Sequence, residues 1–410
     1  MATGSDASFK RVQKQRQWQE VRRTEALERQ RAQRLVSIQH ARRLGGHHQA
    51  VEDVMLEEEW RMGSSGHGAA DAANATGPAQ TGLGCKESDA HTHQPVREQL
   101  ANQLMQHEWL TDIPEDLGQK WIVRPRPEGQ RCLIIASKNH TVSYSKKSVT
   151  THRFLSLLPG GSPQTGLKAD AVTILDCIFS HESQSYHVMD VMCWAGYQLY
   201  DCTSEFRMYW MHSKLQEMPH QGRCGHNSYS FVAVPFHQCD IGGLQAAHSG
   251  PVPFRRDGLL LLHKEAHYDL GTSPLALLWK DAGSSRYFIE TDAKGIVQPR
   301  QVVVLQCLPS GHLGTADDPP CQLAPIPAAV PHCPSNQLKP GQLLQFTIGE
   351  GGLQLDCGRL ISADLTFVGM ANQRRGHADT CSKIIFQHMA RHQPLGLEML
   401  LASLCISETG

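Results

Sequence analysis

The sequence predicts an α+β chain rich in antiparallel strands, with a basic helical arm in front and a small β-rich region ending in a helix behind. Three observations predict it. Beyond residue 120, apolar runs of four to eight residues, bounded by Gly, Pro, Asn and Ser, recur too closely for helices. Ahead of them, residues 17–44 are almost all good helix formers, with no Gly or Pro before Gly45. The last segment, TCSKIIFQHMARHQPLGLEMLLASL, is apolar but broken by charged and polar residues, which suits a terminal helix. A length of 410 residues with 40% hydrophobic residues allows two or three domains and at least one large core. Lys plus Arg total 39 against 40 Asp plus Glu, so only the local distribution of charge carries information.

That distribution is uneven. From Lys10 to Arg43 there are eleven Lys or Arg against three Glu, whereas residues 51–59 hold five acidic groups. Leu27, Leu35, Ile38 and Ala41 form a thin apolar stripe on the arm, too narrow to dock in a core, which predicts an exposed helix that orders on a partner. A solvated charged helix or a coiled-coil fragment is the alternative. Residues 63–96 are mostly small and polar, the composition of a flexible tether. The expected organisation is therefore an arm over 1–62, a linker over 63–96, a main domain over 97–285 and a β-rich C-terminal region over 286–410.

Within the main domain, ANQLMQHEWLTDI reads as a short amphipathic helix. WIVRPRP, RCLIIAS, DAVTILDCIF, SYHVMDVMCW, FRMYWMH, SYSFVAVPF and DGLLLLHK read as strands. SRYFIETD, QVVVLQCL and LLQFTIGEGGLQLDCGRL continue the strand pattern before the terminal helix. The 13 cysteines include no C-x-x-C pair, and no signal-peptide h-region or long apolar run is present, so reduced thiols in cytosol or nucleus and no membrane partner are expected. His220, Cys224, His226, His237 and Cys239 could ligate zinc, but their spacing matches no finger, and neither a metal nor a cofactor is expected.

RPEGQR, residues 126–131, resembles the K-x-D-G-x-R hexapeptide of covalent nucleotidyltransferases, with Arg126 in the place of the nucleophilic lysine. A guanidinium cannot lose the proton that such an attack requires. Across residues 101–213, the blocks ANQLM, EWL, DLGQ, WIV, FLSLLPGG, TILDCI, VMDVMCW and YWMHSKL resemble the snurportin family in order and spacing. That resemblance implies a guanylyltransferase-like, non-catalytic domain that binds the 2,2,7-trimethylguanosine cap of small nuclear RNA. LDCIF, RDGLLL and LLWKD then stand at the remnants of further nucleotidyltransferase motifs, with Cys177-Ile178 replacing a Gly-Glu pair.

By the same resemblance, Gln106, His107, Trp109, Arg131, Lys146 and Trp279 are the expected cap-binding residues. Trp279 is the stacking platform, Trp109 lies beside the N2-methyl groups, and Arg131 and Lys146 meet phosphate. Gln106 stands where better-known members have a Leu, and Trp279 falls five residues after Pro274, whereas the family's platform falls four after. Trp121 and Trp194, inside strands, are expected in the core. The arm, ending QHARRL, resembles importin-β-binding arms, which implies importin contacts by Arg22, Arg23, Arg29, Arg31, Arg34, Arg42 and Arg43. The implied role is a shuttling adaptor in nucleus and cytoplasm that carries spliceosomal ribonucleoprotein. An exportin is a further implied partner, though MATGSDASF offers little of the apolar N-terminus it would need. An active nucleotidyltransferase and an importin-binding protein that has lost cap affinity remain the alternatives.

Overall fold

A computed structural model describes residues 18–30, 103–145, 149–163, 171–218, 229–292, 294–327, 329–330, 333–334, 338–371 and 376–407. The helix over residues 18–30 is α1. Then follow β1 (Met105–Trp109), α2 (Leu117–Lys120), β2 (Trp121–Pro127), β3 (Gln130–Ser137), β4 (His140–Ser145), β5 (Thr150–Phe154), β6 (Thr173–Ser180), β7 (Ser185–Trp194) and β8 (Tyr197–Gln198). Next come α3 (Ser204–Glu217), β9 (Ser230–Ala233), β10 (His237–Gln238), α4 (Ile241–Ser249), β11 (Arg256–His263) and β12 (Gly271–Trp279). The C-terminal part holds β13 (Val302–Cys307), β14 (His312–Gly314), β15 (Gln322–Pro325), β16 (Ala329–Val330), β17 (Cys333–Pro334), β18 (Leu343–Asp356), β19 (Arg359–Met370), α5 (Cys381–His392) and α6 (Leu397–Ser407).

These strands form three main sheets and the small β16–β17 ribbon. The first runs β1-β12-β11-β2-β10, the second β5-β4-β3-β6-β7-β8 with β9 beside β7, and the third β15-β14-β13-β18-β19. Pairing is antiparallel except at β1–β12 and β7–β9. Three hairpins close on two-residue turns in which both residues have positive φ: Lys138-Asn139, Ala195-Gly196 and Cys357-Gly358. That geometry matches strand twist.

The run RDGLLLLH shows why the first sheet lacks alternation in its sequence. Leu259 and Leu261 share a face with Trp121, Val123, Leu277 and Trp279, and that face packs on α4, α5 and α6 through Leu244, Phe386, Leu400 and Leu404. Leu260 and Leu262 share the opposite face with Ile122, Ala276 and Leu278, toward the second sheet. A strand covered on both sides reads as continuously apolar. One core therefore spans residues 110–279 and 386–404, across the boundary expected near residue 285.

Three expectations for secondary structure are corrected. MQHEW is strand β1 and not a helix, because pairing with β12 overrides its local propensity. FRMYWMH lies within helix α3: Thr203 caps it by accepting the Phe206 N–H, and Arg207, Met208, Met211 and Leu215 form its buried side. SRYFIETD forms turns with a single bridge, Thr291 to Val297. Trp121 and Trp194 are buried, as their strand positions predict. No helix among the described residues is long and apolar enough to cross a membrane.

Candidate functional site

Three strand ends on the second-sheet side of the first sheet meet around one carboxylate. Asp257 opens β11, Arg126 lies near the end of β2 and Lys280 directly follows β12. Both cations pair with Asp257, and the Ser285 hydroxyl donates to it at 2.6 Å. Gly258 makes the convergence possible: its φ is +97°, and a Cβ there would sit 2.5 Å from the Trp279 carbonyl oxygen. Burial lowers the pKa of the Lys280 amine, and Asp257 opposes the shift. It likewise lowers that of the Arg126 guanidinium, again opposed by Asp257. Arg286 pairs with Glu128 at the rim.

A second network ties β1 to the second sheet. Arg131 donates from Nε and Nη2 to the two oxygens of Asp176, at 3.0 and 2.6 Å, and from Nη2 to the Met105 carbonyl at 2.6 Å. The Tyr268 hydroxyl donates to Asp176 at 2.9 Å and accepts the Met105 N–H at 3.1 Å. Burial alone would lower the Arg131 pKa, but the charge and hydrogen bonds of Asp176 reverse the sign and raise it. Next to Asp176, where a nucleotidyltransferase carries its Gly-Glu pair, Cys177 is fully buried and Ile178 packs with Met189, Val234 and Leu260. No metal-binding carboxylate stands at those two positions.

The expected cap-binding residues fall in different places. Gln106, His107 and Trp109 lie half-buried on β1, and the Gln106 amide donates to the Leu104 carbonyl at 2.8 Å. The Trp109 ring packs on Phe386 at 4.8 Å between centroids, with the Lys280 ammonium 5.7 Å from its centroid. Lys146 lies outside the described residues, as do His220, Cys224 and His226 of the histidine and cysteine cluster.

Two of these expectations are corrected. Trp279 is 0% exposed, its indole N–H donates to the Leu395 carbonyl at 2.8 Å, and it is a core residue beneath α6 with no open face for a base. The residue four after Pro274 is Leu278, half-buried and on the cleft side, so the one-residue slip has turned the ring to the other face. The β1–β12 register skips between Ser273 and Leu277, around Pro274. Arg131, expected as a phosphate contact, is committed to Asp176 and Met105.

The arm is also corrected, because α1 is docked on the folded domain and is not an exposed helix. Arg22 pairs with Glu108, Arg23 is 4% exposed and Arg29 is exposed. Arg31, Arg34, Arg42 and Arg43 lie outside the described residues. Sequence reasoning assigned no role to Asp257, Lys280, Asp176, Tyr268 or Ser285. The signals for three of them were the RDG, LLWKD and LDC blocks; Tyr268 and Ser285 carry no motif.

Two facing sheets, with the buried ion-paired cluster of Arg126, Asp257 and Lys280 at the strand ends of the first, define the class: an α+β domain rich in antiparallel strands with a charged cluster on the inner side of one sheet. The particular family follows from residues 103–280, which match the family described as "Snurportin1, m3G cap-binding domain", so this span of the chain is similar to the cap-binding domain of snurportins. Solved DNA ligases also align with this chain. A mycobacterial DNA ligase D complexed with ATP and MES is 11% identical, with 65% of this chain and 95% of that one covered and a TM-score of 0.29. A Lig E DNA ligase is 12% identical over 65% and 98%, at 0.28, and the ligase domain of M. tuberculosis LigD is 11% identical over 65% and 93%, at 0.28. Scores this low carry no weight for fold or activity.

Proposed function

We propose that this chain is a non-catalytic import adaptor whose main domain, nucleotidyltransferase-like in descent, binds the trimethylguanosine cap of spliceosomal small nuclear RNA. The arm recruits importin-β, and the protein shuttles between cytoplasm and nucleus. The observation that carries the cap reading is the family match over residues 103–280. Binding without chemistry is supported by Arg126, which is held on Asp257 and cannot act as a nucleophile.

The base is proposed to stack on Trp109, with Gln106 and His107 beside it and Lys146 toward the phosphates. N7-methylation gives guanine a positive charge, which an indole face attracts by roughly 0.5–2 kcal/mol beyond apolar burial. A cation already lies near this ring, the Lys280 ammonium 5.7 Å from its centroid. Arg131 acts as a positioning residue: through the Met105 carbonyl and Asp176 it holds β1 against the second sheet.

One observation favours a second reading, in which cap affinity has been lost: the cleft-side position that would carry the platform ring holds Leu278. Titration of the full chain with trimethylated and monomethylated cap analogues separates the two. Tighter binding of the trimethylated analogue is expected, and no saturable binding of either would leave only the importin role. Incubation with Mg²⁺ and GTP should yield no covalent guanylate on wild type or on Arg126→Lys, and an adduct on wild type would refute the non-catalytic reading.

A further inference from the structure

Helix α1 is bound by a stripe that apolar patterning does not reveal. Gln19, Arg23, Ala26 and Gln30 recur at helical spacing, and all four are 4–5% exposed. Ala26 packs with Ala266, in the connection from β11 to β12, and with Leu275 within β12. Gln30 accepts the His267 N–H at 2.7 Å and donates to the Glu265 carbonyl at 3.4 Å. The Arg23 guanidinium lies 5.9 Å from the Trp121 ring centroid, and Arg359 lies 5.0 Å from that of Trp18 at the start of the helix. Arg22 pairs with Glu108, a carboxylate 1% exposed between His107 and Trp109 on β1. Burial raises the Glu108 pKa, and Arg22 and then Arg23 oppose that shift, so both arm arginines favour the charged carboxylate.

We propose that the folded domain holds residues 18–30 as an internal ligand, so that an acidic partner can take Arg22 and Arg23 only after α1 has left β1 and the segment 263–268. The two states exclude each other on geometry alone. Arg23 has no surface to offer a second carboxylate while docked, and Arg22 is already paired with one. Among the described arginines of the arm, only Arg29 is exposed before release. The proposal rests on the reading that the arm recruits importin-β. A closed population lowers the apparent affinity of the partner by the fraction that remains open.

Three forms of the full chain test it: wild type, Gln30→Ala and Glu108→Gln. Gln30→Ala removes two tethers with a residue that favours helix, and Glu108→Gln removes the counter-charge without touching the arm. Importin-β affinity would be measured by calorimetry, and amide exchange over residues 18–30 would be followed in each protein without partner. The expected result is slow exchange in wild type, faster exchange in both variants, and importin-β binding tightened about fivefold or more in each as the closed fraction falls. Equal affinity in all three, or unprotected exchange in wild type, overturns the competition while leaving recruitment standing. Slow exchange in wild type with no importin-β binding by any of the three overturns recruitment and the competition together.

Discussion

Replacing Trp279 with alanine should damage the fold before it touches any ligand. The indole is fully buried among Leu259, Leu277, Leu400 and Leu404, and its N–H satisfies the Leu395 carbonyl just ahead of α6. Truncating a buried Trp costs about 3–5 kcal/mol, and the orphaned carbonyl adds about 1 kcal/mol. Against a typical total of about 5–15 kcal/mol, that is a large share of the stability. Urea unfolding followed by circular dichroism would measure it, with Trp279→Phe as a companion that keeps most of the apolar volume. Trp279→Phe should lose about 1–2 kcal/mol of stability and bind cap analogue as wild type does. A Trp279→Ala protein within about 1 kcal/mol of wild-type stability, but with weakened cap binding, would refute this placement and restore the platform role.

Leu278→Trp puts an indole on the cleft side of β12, and should strengthen binding of methylated cap analogue by roughly 0.5–2 kcal/mol, read by fluorescence titration. Asp176→Asn leaves Arg131 without its bidentate partner in a largely buried site, and should cost about 3 kcal/mol in urea unfolding. His187 is 2% exposed, 4.8 Å from Phe254, and burial pushes its pKa down to about 4 from 6.5. The unfolded state therefore takes up the proton first. Stability should be fully present above pH 6.5 and fall as pH drops toward 4, by on the order of 3 kcal/mol, in a urea series against pH. His187→Phe should flatten that slope.

Much of the fold was legible because its signals are local. Strand runs such as RCLIIAS and SYHVMDVMCW became β3 and β7, and Asn139 and Gly196 sit at the turns that close their hairpins, as Gly358 does for β18–β19. The errors arose where the deciding partner is far away in sequence. MQHEW looks helical until β12 lies beside it, and FRMYWMH looks like a strand until its cap and buried side are seen. The site divides the same way. Arg126 was readable as a lost nucleophile, but its pairing with Asp257 joins positions 131 residues apart. Gln19, Arg23 and Gln30 are polar, so no hydrophobicity pattern could show that they dock a helix.

The roof that α5 and α6 form over the first sheet also sets an order of events during synthesis. Leu110 and Trp121 emerge early, yet the core they belong to is completed by Leu400 and Leu404, about 280 residues later. At ~5–20 residues per second, that leaves a broad apolar face without its cover for roughly fifteen seconds to a minute. A nascent chain in that interval is a substrate for chaperones. Any fragment that stops near residue 285 stays in that condition permanently, even though it contains the whole span by which the family is recognised.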